Sequence, residues 1–576
     1  MDVPKFDIHY VKLKPVHLET LEKGAVYTED DMAHSYKPFH IEKLQLYNPV
    51  YSKFFELSPS NYNRIGLNHK YHIRTLSEVV EIDTNNVVSK NVFVKFAPLL
   101  DPIKYMTGKY TNSREFLNIL PSCSPENPEN CLSKISDPNN SSYVDNFFNY
   151  LSTQLLSHHN MVHGIEYYGS YLGVQEKHKM NVTDDLDYLA DSHYFVEHYN
   201  KLYTATHPYM NEYIKNTSSS RGNKNKLTIS SLPDDADIVL DSIDDIVDLS
   251  LETTEVMAEA NLVYEKESEK EISTENSSEI DSDSAASKSE SDSESDSEIE
   301  SDTESLATCS EEDEEEWETD SSRTCSTEDE ISQYAYIHNF PVQMICLEKC
   351  DGCLDDLFVR HQLNSEEGMA MLFQVIMTLL MYQKAYHFTH NDLHTNNIMY
   401  NNTDAPYLYY KYKKQVYRVP TYGKIYKIID FGRAIYKYKG QLFCSDSFAS
   451  GGDASTQYNC EPYLDENKAR LEPNLSFDLC RLACSIYDFF WEKDEESEFK
   501  SVISKWCLDD ENRNVLYKKN GNERYPGFKL YKMIARTVHR HTPENQLDQP
   551  CFKKFRHPSD AQEEQVMNID ELPVYV

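Results

Sequence analysis

Apolar residues recur along this chain with two different periods. The run Asn91-Val-Phe-Val-Lys95-Phe-Ala is short, β-branched and carries one lysine at its centre, which predicts a strand. From Tyr143 to Ser157 apolar side chains return every three or four positions, the spacing of a helix packed on a sheet. Gly164–Gly173 and Val342–Leu347 read as two further strands, and Met369–Met381 as a buried helix. Lys427–Asp430 reads as a short buried strand that delivers a carboxylate to a turn. Pro406–Pro420 has the mixed pattern of a hairpin, with Lys411, Lys413, Lys414 and Arg418 on a solvated surface, and Leu475–Leu482 predicts a buried helix. Between about Gln175 and Gln333 the strands are interrupted, first by an aromatic-rich, helical-looking stretch from Asp184 to Asn216. The fold class expected from this order is α+β.

Charge explains the interruption. Of the net −40, residues 265–330 contribute −23, from 27 acidic and 4 basic side chains. A segment such as Ser289-Glu-Ser-Asp-Ser-Glu-Ser-Asp-Ser-Glu298 has too little apolar surface to offset chain entropy, so disorder is expected there. Its serines beside Asp and Glu suit phosphorylation by an acidophilic kinase. The acidic balance argues against nucleic acid as a partner and favours basic protein substrates. Thirteen cysteines lie scattered, with one C-x-x-C at Cys350 and Cys353 and no second pair to complete a zinc site. They suit a reduced, intracellular chain. The start of the chain lacks the features of a signal peptide, and no apolar run is long enough to span a bilayer. His158, His159 and His163 favour a structural role over a metal site.

The candidate chemistry lies at His390-Asn391-Asp392-Leu393-His394-Thr395-Asn396-Asn397 and Asp430-Phe431-Gly432. Phosphoryl transfer from ATP needs a carboxylate to orient the attacking hydroxyl and oxygen ligands for Mg²⁺. Asp392 suits the first task, Asn397 and Asp430 the second. H-x-D-x-x-x-x-N followed by D-F-G resembles the catalytic and magnesium-binding loops of the protein-kinase superfamily. The whole pattern, with Asp453-Ala-Ser-Thr-Gln-Tyr-Asn-Cys-Glu-Pro462 and Ser476-Phe-Asp-Leu-Cys-Arg-Leu482, looks like predicted Ser/Thr protein kinases of giant DNA viruses of amoebae.

That resemblance implies a bilobal fold, ATP and Mg²⁺ as cofactors, and protein substrates, with host cytoplasm or virion as the location. It divides the chain into an N-terminal extension (1–50), a smaller lobe (51–180), an insertion (181–333, acidic and disordered from about 217), a last strand and hinge (334–349), a larger lobe (350–542) and a loose polar tail (543–576). Lys95 is implied to grip the nucleotide phosphates. Asp145 takes the place of the glutamate that usually pairs with it, and Glu115 is the second choice. Glu348 to Cys350 offer backbone hydrogen bonds to adenine, Asp355 or Asp356 reaches the ribose, and Asp478 braces the catalytic loop.

Several positions depart from the family. Gly66 is the one glycine between Phe54 and Lys90, so it is the candidate for the phosphate-covering loop, whose G-x-G-x-x-G is missing. Asn391 stands where an arginine is common, which removes the local partner for an activation-loop phosphate. His394 stands where a lysine is usual; it is a candidate donor to the transferred phosphate, with a charge set by its surroundings. Asp392 and Asp430 are 38 positions apart, longer than usual. Two alternatives to an active Ser/Thr protein kinase follow: a pseudokinase scaffold whose acidic insert recruits basic partners, and a small-molecule kinase.

Overall fold

The computed structural model describes residues 5–13, 16–123, 131–206, 332–490, 496–558 and 566–576. The acidic tract and the part of the helical-looking stretch beyond 206 lie outside these residues. The described chain is mixed α and β with several separate sheets.

The strands are β1 (Tyr10–Lys12), β2 (Ile41–Gln45), β3 (Ile65–Leu67), β4 (Tyr71–Ile73), β5 (Glu78–Glu81), β6 (Val87–Ser89), β7 (Val92–Pro98), β8 (Tyr167–Asn181), β9 (Tyr203–Ala205) and β10 (Tyr334–Glu348). After them come β11 (Gly352–Cys353), β12 (Ile398–Asn402), β13 (Tyr407–Tyr412), β14 (Gln415–Pro420), β15 (Lys424–Ile428), β16 (Ile435–Tyr438), β17 (Gln441–Cys444), β18 (Arg556–His557) and β19 (Val566–Asn568). Five helices of nine or more residues stand among the described residues: α1 (Ser141–His159), α2 (Ser365–Tyr386), α3 (Phe477–Tyr487), α4 (Glu498–Trp506) and α5 (Lys529–Thr537).

The main sheet has the order β2-β8-β10-β7, with β9 added to β10. Its antiparallel register sets Lys95 opposite Ile345. Residues 41–45, expected in an extension, are a strand of this sheet. Two short helices, Leu186–Asp191 and His193–His198, precede β9, so the described part of the stretch after 184 passes from helix to strand.

Helix α1 starts where Asn140 accepts a hydrogen bond from the Ser142 amide (3.0 Å), satisfying an orphan donor of the first turn. It ends at Asn160 with φ +54°, a left-handed termination that asparagine tolerates. Fourteen consecutive residues, Ser142–Leu155, are buried, so α1 is enclosed on all sides and its polar groups need partners inside the protein. Helix α2 opens with a capping box between Asn364 and Glu367 and buries nearly its whole length. No helix among the described residues is long and apolar enough to cross a membrane.

The predicted hairpin is present as β13 and β14, but it is not a free surface feature. It is the centre of a sheet ordered β18-β14-β13-β19, with β19 parallel to β13. At its tip, Lys413 and Lys414 have φ of +49° and +63°, and Asp570 accepts both their amides at 2.6 and 2.8 Å. The expectation of a loose tail is therefore corrected for the described residues after 543. Met567, Ile569, Leu572 and Tyr575 are buried in the core, the first of them in the strand that completes the sheet edge.

Candidate active site

Two ladders deliver the candidate residues to one place. Strands β12 and β15 pair with Ile398 opposite Ile428, and the next step of the ladder is the Ile429 amide donating to the Asn397 carbonyl (3.0 Å). Asn397 and Asp430 therefore flank the open end of the same strand pair, although the hairpin separates them in sequence. On the other side, Thr389 and Ile435 exchange two backbone hydrogen bonds, 2.9 and 3.0 Å. The loop 389–397 is held at both ends.

Its interior is held by side chains. Asp478, at the start of α3, accepts the amides of His390 and Asn391, both at 2.9 Å. The His390 ring donates through Nε2 to the Ile429 carbonyl (2.9 Å) and accepts the Asp392 amide at Nδ1 (3.3 Å). Asn391 sits at φ +65°, where asparagine is among the few side chains readily accommodated. It donates to the Arg433 carbonyl (3.0 Å) and accepts from the Tyr458 hydroxyl (2.9 Å).

Lys95 reaches from β7 to two carboxylates: Asp145 on α1 at 2.8 Å and Asp430 at 2.9 Å. Asp145 also accepts the Phe431 amide (2.8 Å) and the Asn149 side chain (2.9 Å), which ties the helix to the turn after β15. Burial works against the Lys95 ammonium, but the two carboxylates outweigh it and keep the lysine charged. The protein around Asp430 pushes its carboxyl up, and Lys95 more than compensates, holding it below the usual range. Burial drives Asp145 up, with Lys95 opposing. Asp430 occupies φ +62°, a left-handed position that turns its half-exposed carboxylate toward Lys95.

Asp392 receives the Tyr531 hydroxyl at Oδ1 (2.7 Å), and its Oδ2 lies 3.6 Å from the Arg433 guanidinium. Burial pushes its carboxyl up, but Arg433, His394 and Arg481 prevail and hold it at about 2. Asn397 directs its side-chain NH₂ to the Asp392 carbonyl (2.9 Å) and to His394 Nε2 (3.1 Å). His394 therefore uses Nε2 as an acceptor, and burial lowers it to about 4. It is neutral near pH 7 and does not replace a cationic lysine. Mutual Coulomb effects link Asp430 to both Asp392 and His394, so these groups share one electrostatic neighbourhood.

Other candidates stand elsewhere. Gly66 is not in a loop: it lies buried in β3, paired with Val11 of β1. A Cβ there would meet the tip of the Leu13 side chain at 2.3 Å, so the position is closely packed within a strand pair where a loop was expected. Glu115 is exposed in a short 3-10 turn, Thr111–Phe116, away from α1. The Glu348 carboxylate pairs with buried Lys427 and accepts from Asn401 (3.3 Å). The main chain leaves the sheet just after it, with the Lys349 amide on the Asn91 carbonyl (3.1 Å) and Cys350 following. Asp355 accepts the Thr395 hydroxyl at 2.5 Å, while Asp356 is exposed. His163 bridges the Tyr426 carbonyl (2.6 Å) and the Tyr410 hydroxyl (2.8 Å), a structural tie between α1 and the hairpin.

Sequence reasoning missed Arg433, Arg481 and Tyr531. Arg433 immediately follows Asp430-Phe431-Gly432 and also pairs with Asp453, so its proximity to a carboxylate-rich site was available as a signal. Arg481 and Tyr531 lie 89 and 139 positions beyond Asp392 and carried none.

No protein-family model matches this chain. A protein of Acanthamoeba polyphaga mimivirus described as "Putative serine/threonine-protein kinase" is 31% identical over 134 residues, which cover 19% of this chain and 33% of that protein. The chain thus spans about a third of the length of the curated relative it matches. The similarity, partial as it is, supports a kinase-like relationship.

Proposed function

We propose that this chain is a Mg·ATP-dependent kinase that transfers a phosphoryl group to Ser or Thr hydroxyls of proteins. In this reading the main sheet and α1 form the smaller lobe of a bilobal fold, and the part built on α2 to α5 the larger. The observation that carries it is the Lys95 ammonium between Asp145 and Asp430, with Asp392 and Asn397 at the end of the same ladder.

The residues fit the implied cofactor. Asn397 has its NH₂ engaged by two protein acceptors, which leaves Oδ1 as its ligand atom. With the half-exposed Asp430 carboxylate it makes an all-oxygen donor set of the kind that suits Mg²⁺. Bound Mg·ATP supplies the transferable phosphoryl group and neutralises charge on its oxygens. Lys95 holds the phosphates, Asp145 holds Lys95, and the Glu348–Cys350 backbone receives adenine. Asp392, ionised throughout the physiological range, accepts a hydrogen bond from the acceptor hydroxyl and aligns it. Its low proton affinity makes it an orienting group more than a strong base. The acidic net charge favours basic protein substrates.

One observation favours a second reading, a scaffold without transfer: Gly66 packs inside a strand, and no glycine-rich cover stands in its place. Incubation with γ-labelled ATP, Mg²⁺ and a mixed protein substrate separates the two. Transfer by wild type that is lost in Lys95→Met and falls to a small, measurable residual rate in Asp392→Asn is the expected result. A folded wild type that labels neither itself nor any protein would overturn the kinase reading, and label appearing only in metabolites would move the substrate class to small molecules.

A further inference from the structure

Tyr531 places its hydroxyl on Asp392 Oδ1 at 2.7 Å, although it comes from α5, 139 positions downstream, and belongs to none of the quoted motifs. Its ring is locked. It stacks on Phe528 with centroids 5.0 Å apart and planes 7° from parallel, and it packs on Phe477 at 6.0 Å. Two guanidinium groups contact the same ring: Arg481 at 5.0 Å and Arg433 at 5.7 Å from its centroid. Arg481 is 2% exposed and Tyr531 8%, so both lie in a low-dielectric setting where charge–ring contacts are strong. A buried tyrosine that served packing alone needs any acceptor for its hydroxyl. This one donates to an ionised carboxylate of the candidate loop, a charge-assisted bond that also constrains the carboxylate's rotation.

We propose that Tyr531, braced by Arg481, is a positioning residue for Asp392: it fixes the carboxylate through Oδ1 and leaves Oδ2, on the Arg433 side, to take the acceptor hydroxyl. The inference rests on the reading of Asp392 as the acceptor-orienting group. It adds to that reading the source of the orientation, a hydroxyl that arrives from 139 positions downstream.

A double-mutant cycle tests it. Tyr531→Phe keeps the ring and removes the hydroxyl. It is expected to lower kcat about tenfold, the effect of one hydrogen bond to a charged group, with KM for ATP and the melting temperature unchanged. In an Asp392→Asn background the same change is expected to cost nothing further, because the group it positions is gone. Arg481→Met reads the same contact from the other side of the ring and should lower kcat in the same non-additive way. Equal losses in both backgrounds would assign Tyr531 to general packing and overturn the proposal. A rise in kcat would make Tyr531 a blocking group and overturn it as well. An active wild type with an unaffected Tyr531→Phe variant sinks this inference alone, whereas a wild type with no transfer sinks it together with the kinase reading.

Discussion

Asp145→Asn is the most incisive perturbation of the site, because it changes one atom and one charge at the junction of helix, strand and turn. The carboxylate accepts from Lys95 at 2.8 Å, from the Phe431 amide at 2.8 Å and from Asn149 at 2.9 Å. An asparagine can keep the Phe431 bond through its own oxygen, but it presents NH₂ to Lys95 and removes the charge. Breaking one side of a buried ion pair typically costs about 3–5 kcal/mol. Lys95 retains Asp430, yet that carboxylate is 46% exposed, so water screens its compensation and the figure is reduced only in part. In the kinase reading, a Lys95 left without its buried partner is misplaced on the phosphates, and a contact of about 2–3 kcal/mol lost in the transition state corresponds to roughly a 30- to 150-fold fall in kcat/KM. Steady-state kinetics with ATP as the varied substrate would measure it, with calorimetry to verify folding. Stability should fall as well, by about 2–3 kcal/mol, because Lys95 loses its buried partner and keeps only the half-exposed Asp430. A kcat/KM within threefold of wild type would refute the assignment of Asp145 as the partner that holds Lys95 in place.

Three further outcomes are expected. Asp570→Ala removes the acceptor of two turn amides at the hairpin tip; at an exposed site this should cost about 1 kcal/mol and lower Tm by about 2 °C, and an unchanged Tm in scanning fluorimetry would mean the turn keeps its shape without the tail. Acid should destabilise the fold before Asp392 or Asp430, both held low, titrates. Burial lowers His163 and His394 to about 4, whereas an unfolded histidine titrates near 6.5. The unfolded chain therefore binds more protons between these values; stability is complete above about pH 6.5 and is lost as pH falls toward 4, so urea midpoints that do not fall between pH 7 and 4.5 would contradict the burial of these rings. Finally, Asp446 joins the segment after β17 to the start of α1, accepting from the Ser141 amide (3.0 Å) and pairing with Lys134 (2.6 Å). Asp446→Asn should make residues 445–459 markedly more sensitive to limited proteolysis, and unchanged cleavage would show that other contacts hold the segment.

Periodic segments were the legible part of this protein. Strand β7, helices α1, α2 and α3, and the hairpin all stand where apolar spacing puts them, because each buries one face or its whole circumference against neighbours that demand that spacing. Two short segments were less legible. Strand β2 and the described residues after 543 are short, mostly polar and paired with distant partners, so their local pattern carries little information. Gly66 shows the same limit from the other side. The sequence expects a loop at this glycine, whereas it stands in a strand paired with β1, its Cβ position filled by the tip of Leu13.

The departures from the family pattern acquire a physical sense once charge is counted in space and not along the chain. In the kinase reading Asn391 removes a cation next to Asp392, but Arg433, 41 positions along the chain, sets its guanidinium 3.6 Å from that carboxylate and also pairs with Asp453. In the kinase reading Asp145 replaces a glutamate one methylene longer, and it still meets Lys95 at 2.8 Å while accepting the Phe431 amide with its other oxygen. His394 contributes no charge, while Arg433 and Arg481 both act on Asp392 to hold it ionised. In the kinase reading the site thus keeps its balance of positive and negative groups while changing which residues supply them. What such a balance requires is proximity, and proximity is set by the ladder between Asn397 and Ile429 and by the brace from Asp478. It follows that substitutions at Asp478 should damage the site more than a return of arginine at position 391 would improve it, since that side chain would have to displace the Tyr458 and Arg433 contacts that now hold Asn391 in its left-handed turn.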